Sequence, residues 1–137
     1  MLYTTQLAQV KRMPKGIEMI NITAQSAIYP WTIFAPSWNL VNSYKQKAVT
    51  EKEYTDIYTE QLRKEYRKNR ILFEQIISKA LTGNIALACY CPAGEFCHRL
   101  ILKNVLQILE PRLIYYGEYP ANQSLARLHC FDRRTWR

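Results

Sequence analysis

Apolar positions along this chain follow two periods in alternation, one helical and one extended. Tyr54, Tyr58, Leu62 and Tyr66 recur every four residues, with Ile57 beside them, as on one face of an amphipathic helix. Thr50-Glu51-Lys52-Glu53 sets a hydroxyl three residues before a glutamate. That capping-box pattern predicts a helix starting there and ending near Asn69. A second helical run through Ile71, Leu72, Ile76, Ile77, Ala80 and Leu81 stops at Thr82-Gly83-Asn84, a C-terminal signal. A third runs from Cys97 to Leu109 through Leu100, Ile101, Val105 and Ile108, closed by Pro111. Ile85 to Cys91 is almost continuously apolar, as a strand covered on both faces of a parallel sheet must be. Gly16 to Thr23 alternates apolar and polar residues and predicts a short strand, and Leu113 to Tyr116 a last one. Ala24 to Ser43 holds Pro30, Pro36, Trp31, Phe34 and Trp38 and is expected to be a long aromatic loop, functional or packed over the core. Strands alternating with helices predict a layered α/β fold with a small, largely parallel sheet flanked by helices.

Composition narrows the class. The chain has 137 residues, 48% hydrophobic and 22% charged, enough for one domain and its core. No repeat or linker divides it, so residues 1–137 are expected to form a single domain with a basic tail over 120–137. Disorder, collagen and coiled coil do not fit these values. No run approaches the roughly 18 apolar residues of a membrane span. Lys11, Arg12 and Lys15 follow the short opening apolar run rather than precede it, unlike a signal peptide, so a cytoplasmic location is expected. Nineteen Lys and Arg against eleven Asp and Glu give +8, which suits a polyanionic partner. One basic patch is Arg63, Lys64, Arg67, Lys68 and Arg70; another is Arg127, Arg133, Arg134 and Arg137, with Trp136 available for stacking. Both can serve a non-catalytic nucleic-acid-binding module, or be a solvated helix face and a soluble terminus. Oligomeric state is not legible.

The candidate chemistry lies where strand 85–91 meets helix 97–109. α/β sheets bind ligands beyond the carboxyl ends of their strands, and a helix N-terminus there favours an anion. Cys97, His98 and Arg99 open that helix. The helix field is expected to lower the Cys97 pKa and make it a nucleophile. His98 would act as acid or base, although helix neighbours point about 100° apart. Arg99 would clamp a phosphate or carboxylate. The other reading is that Cys97 packs inward and His98 caps or pairs nearby. Walker, Gly-x-Gly-x-x-Gly and His-Cys-x5-Arg loops are absent, and four glycines leave no room for a glycine-rich cradle. The expected ligand is therefore a nucleotide or other small phosphorylated molecule held by helix amides and arginines, with no cofactor implied. Trp31 and Trp38 would form a lid over it, unless both are packed in the core. An alternative is a zinc site of Cys89, Cys91, Cys97 and His98, with His129 and Cys130. It lacks the usual paired Cys-x2-Cys knuckles, and cysteine also serves as a small core residue.

The run Cys89-Tyr90-Cys91-Pro92-Ala93-Gly94-Glu95-Phe96-Cys97-His98-Arg99 resembles the signature of the domain-of-unknown-function 488 family. That signature is an apolar strand ending in Cys, a short loop, and Cys-His-Arg opening a helix. Leu2-Tyr3-Thr4-Thr5 and Pro36-Ser37-Trp38 match more loosely, so the resemblance spans residues 1 to about 110. It implies a Rossmann-like α/β domain with Cys97, His98 and Arg99 as site residues and Cys89 supporting them from the strand. Cys91, Gly94 and Glu95 join the site as its loop, and Gly94-Glu95-Phe96 looks like that of the short single-domain members. The stand-alone, basic form resembles members carried by phages and mobile elements. Two positions depart from the pattern. The family commonly has an acidic residue where this chain has Cys91, and an Asp-x-Arg where it has Asn21-Ile22-Thr23.

Overall fold

The computed structural model describes residues 1–91 and 95–120. Its elements run β1 (Leu2–Gln6), a 3-10 segment (Leu7–Arg12), β2 (Ile17–Asn21) and a second 3-10 segment (Trp31–Phe34). Then come α1 (Trp38–Lys45), α2 (Glu51–Lys68), α3 (Arg70–Thr82), β3 (Asn84–Cys89), α4 (His98–Leu109) and β4 (Tyr115–Tyr119). The four strands form one parallel sheet in the order β2-β3-β1-β4. Leu2 pairs with Ile85 and Thr5 with Ala88, while Ile20 pairs with Leu87 on the other side. Strand β3 is interior, and all of it from Ile85 to Cys89 is buried, which is why its sequence is a continuous apolar run.

Helix α2 packs on α3 and α4, while α3 lies against β3 and α4 against β1 and β3. Leu2, Ile20 and Leu87 from the sheet meet Tyr58, Phe73, Ile76, Ile101 and Leu102 in one core. Each such side chain contributes on the order of 1.5–3 kcal/mol when fully buried. The periodic helices stand where predicted. In α2, Thr50 accepts from the Glu53 amide while the Glu53 carboxylate accepts from the Thr50 amide, and the helix ends at Asn69. Ile57 and Ile71, however, point outward, 48% and 65% exposed; Phe73 takes the core position in α3.

Four boundaries differ from the sequence reading. The segment 24–43 is not a loop throughout: Pro30 sits just before one 3-10 segment, and Pro36 just before Ser37, whose hydroxyl accepts from the Leu40 amide to cap α1. Proline is tolerated at such edges because no helical N–H is lost there. Strand β3 stops at Cys89, so Tyr90 and Cys91 leave the sheet. Strand β4 begins at Tyr115, with Leu113 packed in the core ahead of it. The opening residues form β1, a strand the sequence pattern did not predict, paired on both sides. No helix among the described residues is long and apolar enough to cross a membrane.

Candidate active site

Three cysteines converge at the carboxyl edge of the sheet. Cys89 closes β3, Cys97 is the residue before α4, and Cys91 lies in the connection between them. Their sulfurs all lie within 4.8 Å of one another, with Cys89 Sγ 2.6 Å from Cys97 Sγ; all three are free thiols. Arg99, from the first turn of α4, reaches under them. Its Nη1 donates to Cys89 Sγ at 2.7 Å and to the Cys91 carbonyl at 3.0 Å. Its Nε and Nη2 grip both oxygens of Glu118 in β4, at 3.1 and 2.9 Å. The side chains of this pair are 1% and 2% exposed. Arg99 is therefore not the open anion clamp expected from its position: its carboxylate partner is internal.

The environments push the thiols apart. Burial raises Cys97 well above an ordinary thiol, and the neighbouring thiols add to this. Burial likewise raises Cys89 to about 11. Cys91 moves the other way: the neighbouring Cys89 and Cys97 thiols outweigh burial, and the Arg99 charge adds to the lowering. Of the three thiols, only Cys91, the partly exposed member of the cluster, is shifted toward its thiolate. This corrects the expectation that the helix field activates Cys97. Arg99 stays charged: burial opposes its charge, and the bidentate Glu118 carboxylate offsets that opposition.

His98 is fixed on both sides. Its Nε2 lies 2.7 Å from the Ile22 carbonyl; a carbonyl only accepts, so this nitrogen carries the proton. Nδ1 then presents its lone pair to Cys97 Sγ, 3.6 Å away. Burial lowers the imidazole to about 4. The ring stands edge-on to Tyr58 at 5.7 Å, and the Tyr58 hydroxyl donates to the Phe34 carbonyl. His98 is accordingly a neutral orienting partner of Cys97.

Over the cluster opens a cleft of about 670 Å³, with Cys91, Cys97 and His98 in its lining. Its walls include Thr23 and Gln25 after β2, Trp38, Tyr44 and Lys45 of α1, Glu51 and Tyr54 of α2, and Tyr90, Glu95 and Phe96. Tyr90 is held by its hydroxyl, 2.9 Å from Ser26 Oγ, and Ser26 is bonded in turn to Thr23 and Asn21. Asn21 is thus taken up by its own loop. Trp38 stands in the lining of the cleft. Trp31 does not: it stacks on Phe34 and packs against the core. Gly94 lies outside the described residues, as do Arg127, His129, Cys130, Arg133, Arg134, Trp136 and Arg137.

Arg63, Lys64, Arg67, Lys68 and Arg70 sit at the far end of α2 and the start of α3, away from the thiols. Arg63 pairs with Glu60 and Arg70 with Glu74. Arg63, Arg67 and Arg70 border a second cleft there with Arg112. Sequence reading missed Glu118, Tyr44, Tyr54 and Tyr90. Glu118 left one signal, a lone acid in the aromatic run Tyr115-Tyr116-Gly117-Glu118-Tyr119, since an unpaired acid is seldom buried.

Among the described residues the zinc reading narrows to the three sulfurs, which alone lie close enough together to share an ion. Two thiolates about 2.3 Å from one zinc in tetrahedral array would stand roughly 3.8 Å apart. Cys89 and Cys97 stand at 2.6 Å, and Cys89 already faces a guanidinium.

The parallel sheet, helical layer and cysteine site at the strand-to-helix edge define a Rossmann-like α/β domain with a thiol cluster. The model of the DUF488-N3a family, described as the active DUF488-N3 subclade, matches residues 3–109, and the chain belongs to that domain-of-unknown-function 488 family. Comparison with curated proteins and with solved structures gave no match. Position 91, where the resemblance leads one to expect an acid, carries a thiol whose pKa is lowered.

Proposed function

We propose that this protein is a thiol-dependent enzyme acting on a small molecule held in the cleft, with Cys91 as its nucleophile. The observation that carries this reading is the convergence of three free thiols on a buried Arg99–Glu118 pair directly beneath an open cleft. Such a pair is costly to bury and stabilises little by itself, so its value lies in the charge it holds beside the sulfurs. The Cys91 sulfur attacks an electrophilic carbon of the ligand. A carbon–sulfur bond forms as the leaving group departs with its electron pair. The Cys89 and Cys97 thiols stand within 4.8 Å of the thiolate as the neighbouring proton donors, and His98 orients Cys97. The matched subclade is described as active, which accords with catalysis. The free thiols also suit a reducing compartment such as the cytoplasm. Of the helix amides and arginines that would hold a phosphorylated ligand, Arg99 is taken up by Glu118.

The test is labelling of the native protein with an iodoacetamide probe, followed by peptide mapping. Cys91 is expected to label first, Cys91→Ser to abolish fast labelling, and Cys97→Ser to retain but slow it. First labelling at Cys89 or Cys97, or unchanged labelling of Cys91→Ser, would overturn the assignment.

A further inference from the structure

We infer that the cleft takes an aromatic-ring ligand that is cationic, of the ammonium or pyridinium class, and discriminates against phosphate esters. The inference deepens the proposed function and rests on the cleft being the substrate site. Its walls are aromatic on several sides: Trp38, Tyr44, Tyr54 and Tyr90 line it, with Tyr54 buried and Trp38 and Tyr90 about half exposed. Ring faces of this kind attract cations, most strongly where water is displaced. The charges agree. Glu51 and Glu95 stand in the lining, the Cys91 thiol lies at the base, and Lys45 is the only cation among the described lining residues. Burial, then Glu51, Cys91 and Glu95, raises the Tyr44 hydroxyl pKa, so these three negative groups act on one wall of the cleft. Arg99 is shut behind the thiols by Glu118 and offers an anion nothing. The apolar rings explain a flat ligand, and the excess of carboxylate sets its sign.

The experiment is calorimetric titration of the full chain with benzyltrimethylammonium, benzyl alcohol and phenyl phosphate, paired with protection of Cys91 from iodoacetamide. Benzyltrimethylammonium is expected to bind about tenfold more tightly than benzyl alcohol and to slow labelling of Cys91. Phenyl phosphate should bind more weakly than either. A Glu51→Gln/Glu95→Gln double variant should weaken the cation about tenfold and leave the alcohol unchanged. Tighter binding of phenyl phosphate, no preference for the cation, no binding of any probe, or no effect of the double variant would each overturn the inference. The two readings separate in the same samples. A Cys91 that labels fast but gains no protection sinks only the ligand class, whereas a slow Cys91 sinks the thiol reading beneath it.

Discussion

Arg99 is among the largest fully buried side chains, and its charge decides the character of the site. It is satisfied by a bidentate carboxylate, a thiol and a carbonyl, which is the condition under which a guanidinium tolerates burial. Glu118→Ala is therefore expected to cost about 3–5 kcal/mol in urea unfolding, since it leaves a buried cation without its partner. The double variant Arg99→Met/Glu118→Leu should be less destabilised than Glu118→Ala; equal or greater loss would contradict the pairing argument. His98 gives a pH signature. Its folded pKa lies at about 4, below the ordinary 6.5, so the unfolded chain takes up a proton that the native state refuses. Stability from this group is complete above pH 6.5 and is lost as the pH falls toward 4. Between pH 6.5 and 5 wild type should lose about 2 kcal/mol more than His98→Gln. Parallel urea-derived profiles for the two proteins would contradict it. That Cys97, His98 and Arg99 meet where a strand passes into a helix was legible in the sequence, and the family resemblance added Cys89. Their roles were not, because burial separates three chemically alike thiols and spacing does not report burial.

At the scale of elements, α2 was legible because period, cap and stop agree, and α4 because period and stop do. The Thr50–Glu53 box makes α2 a direct test: Thr50→Ala should cost about 1 kcal/mol in thermal or urea unfolding, and no measurable change would mean the cap contributes nothing. Tyr54 illustrates what periodicity conceals. Its place in the stripe predicts core, and it is buried, yet it also lines the cleft. Helix α1 was hidden by Pro36, which lies just ahead of the Ser37 cap rather than inside the helix. β1 is short and rich in threonine, so no alternation marked it; its two parallel partners define it. That strand matters to the site, since Thr4 of β1 pairs in register with Glu118.

The whole molecule sets its parallel sheet with the thiol cluster and cleft at one edge and the arginine-bordered groove at the other end of α2. A single α/β layered domain was legible from alternating periods, whereas strand order and the depth of Arg99 arise only from long-range pairing. If the thiols share protons rather than a metal, protein purified without chelator should carry no zinc in its native mass. After unfolding it should take four maleimide adducts, one for each cysteine in the chain. A zinc increment lost on acidification would contradict that. The central claim is that Cys91 bears the charge of the cluster, and the rate of its alkylation by iodoacetamide between pH 6 and 9 measures this most directly. The lowered pKa predicts a rate nearly independent of pH over that range. A rise of about tenfold per unit up to the ordinary thiol value near 8.5 would contradict it.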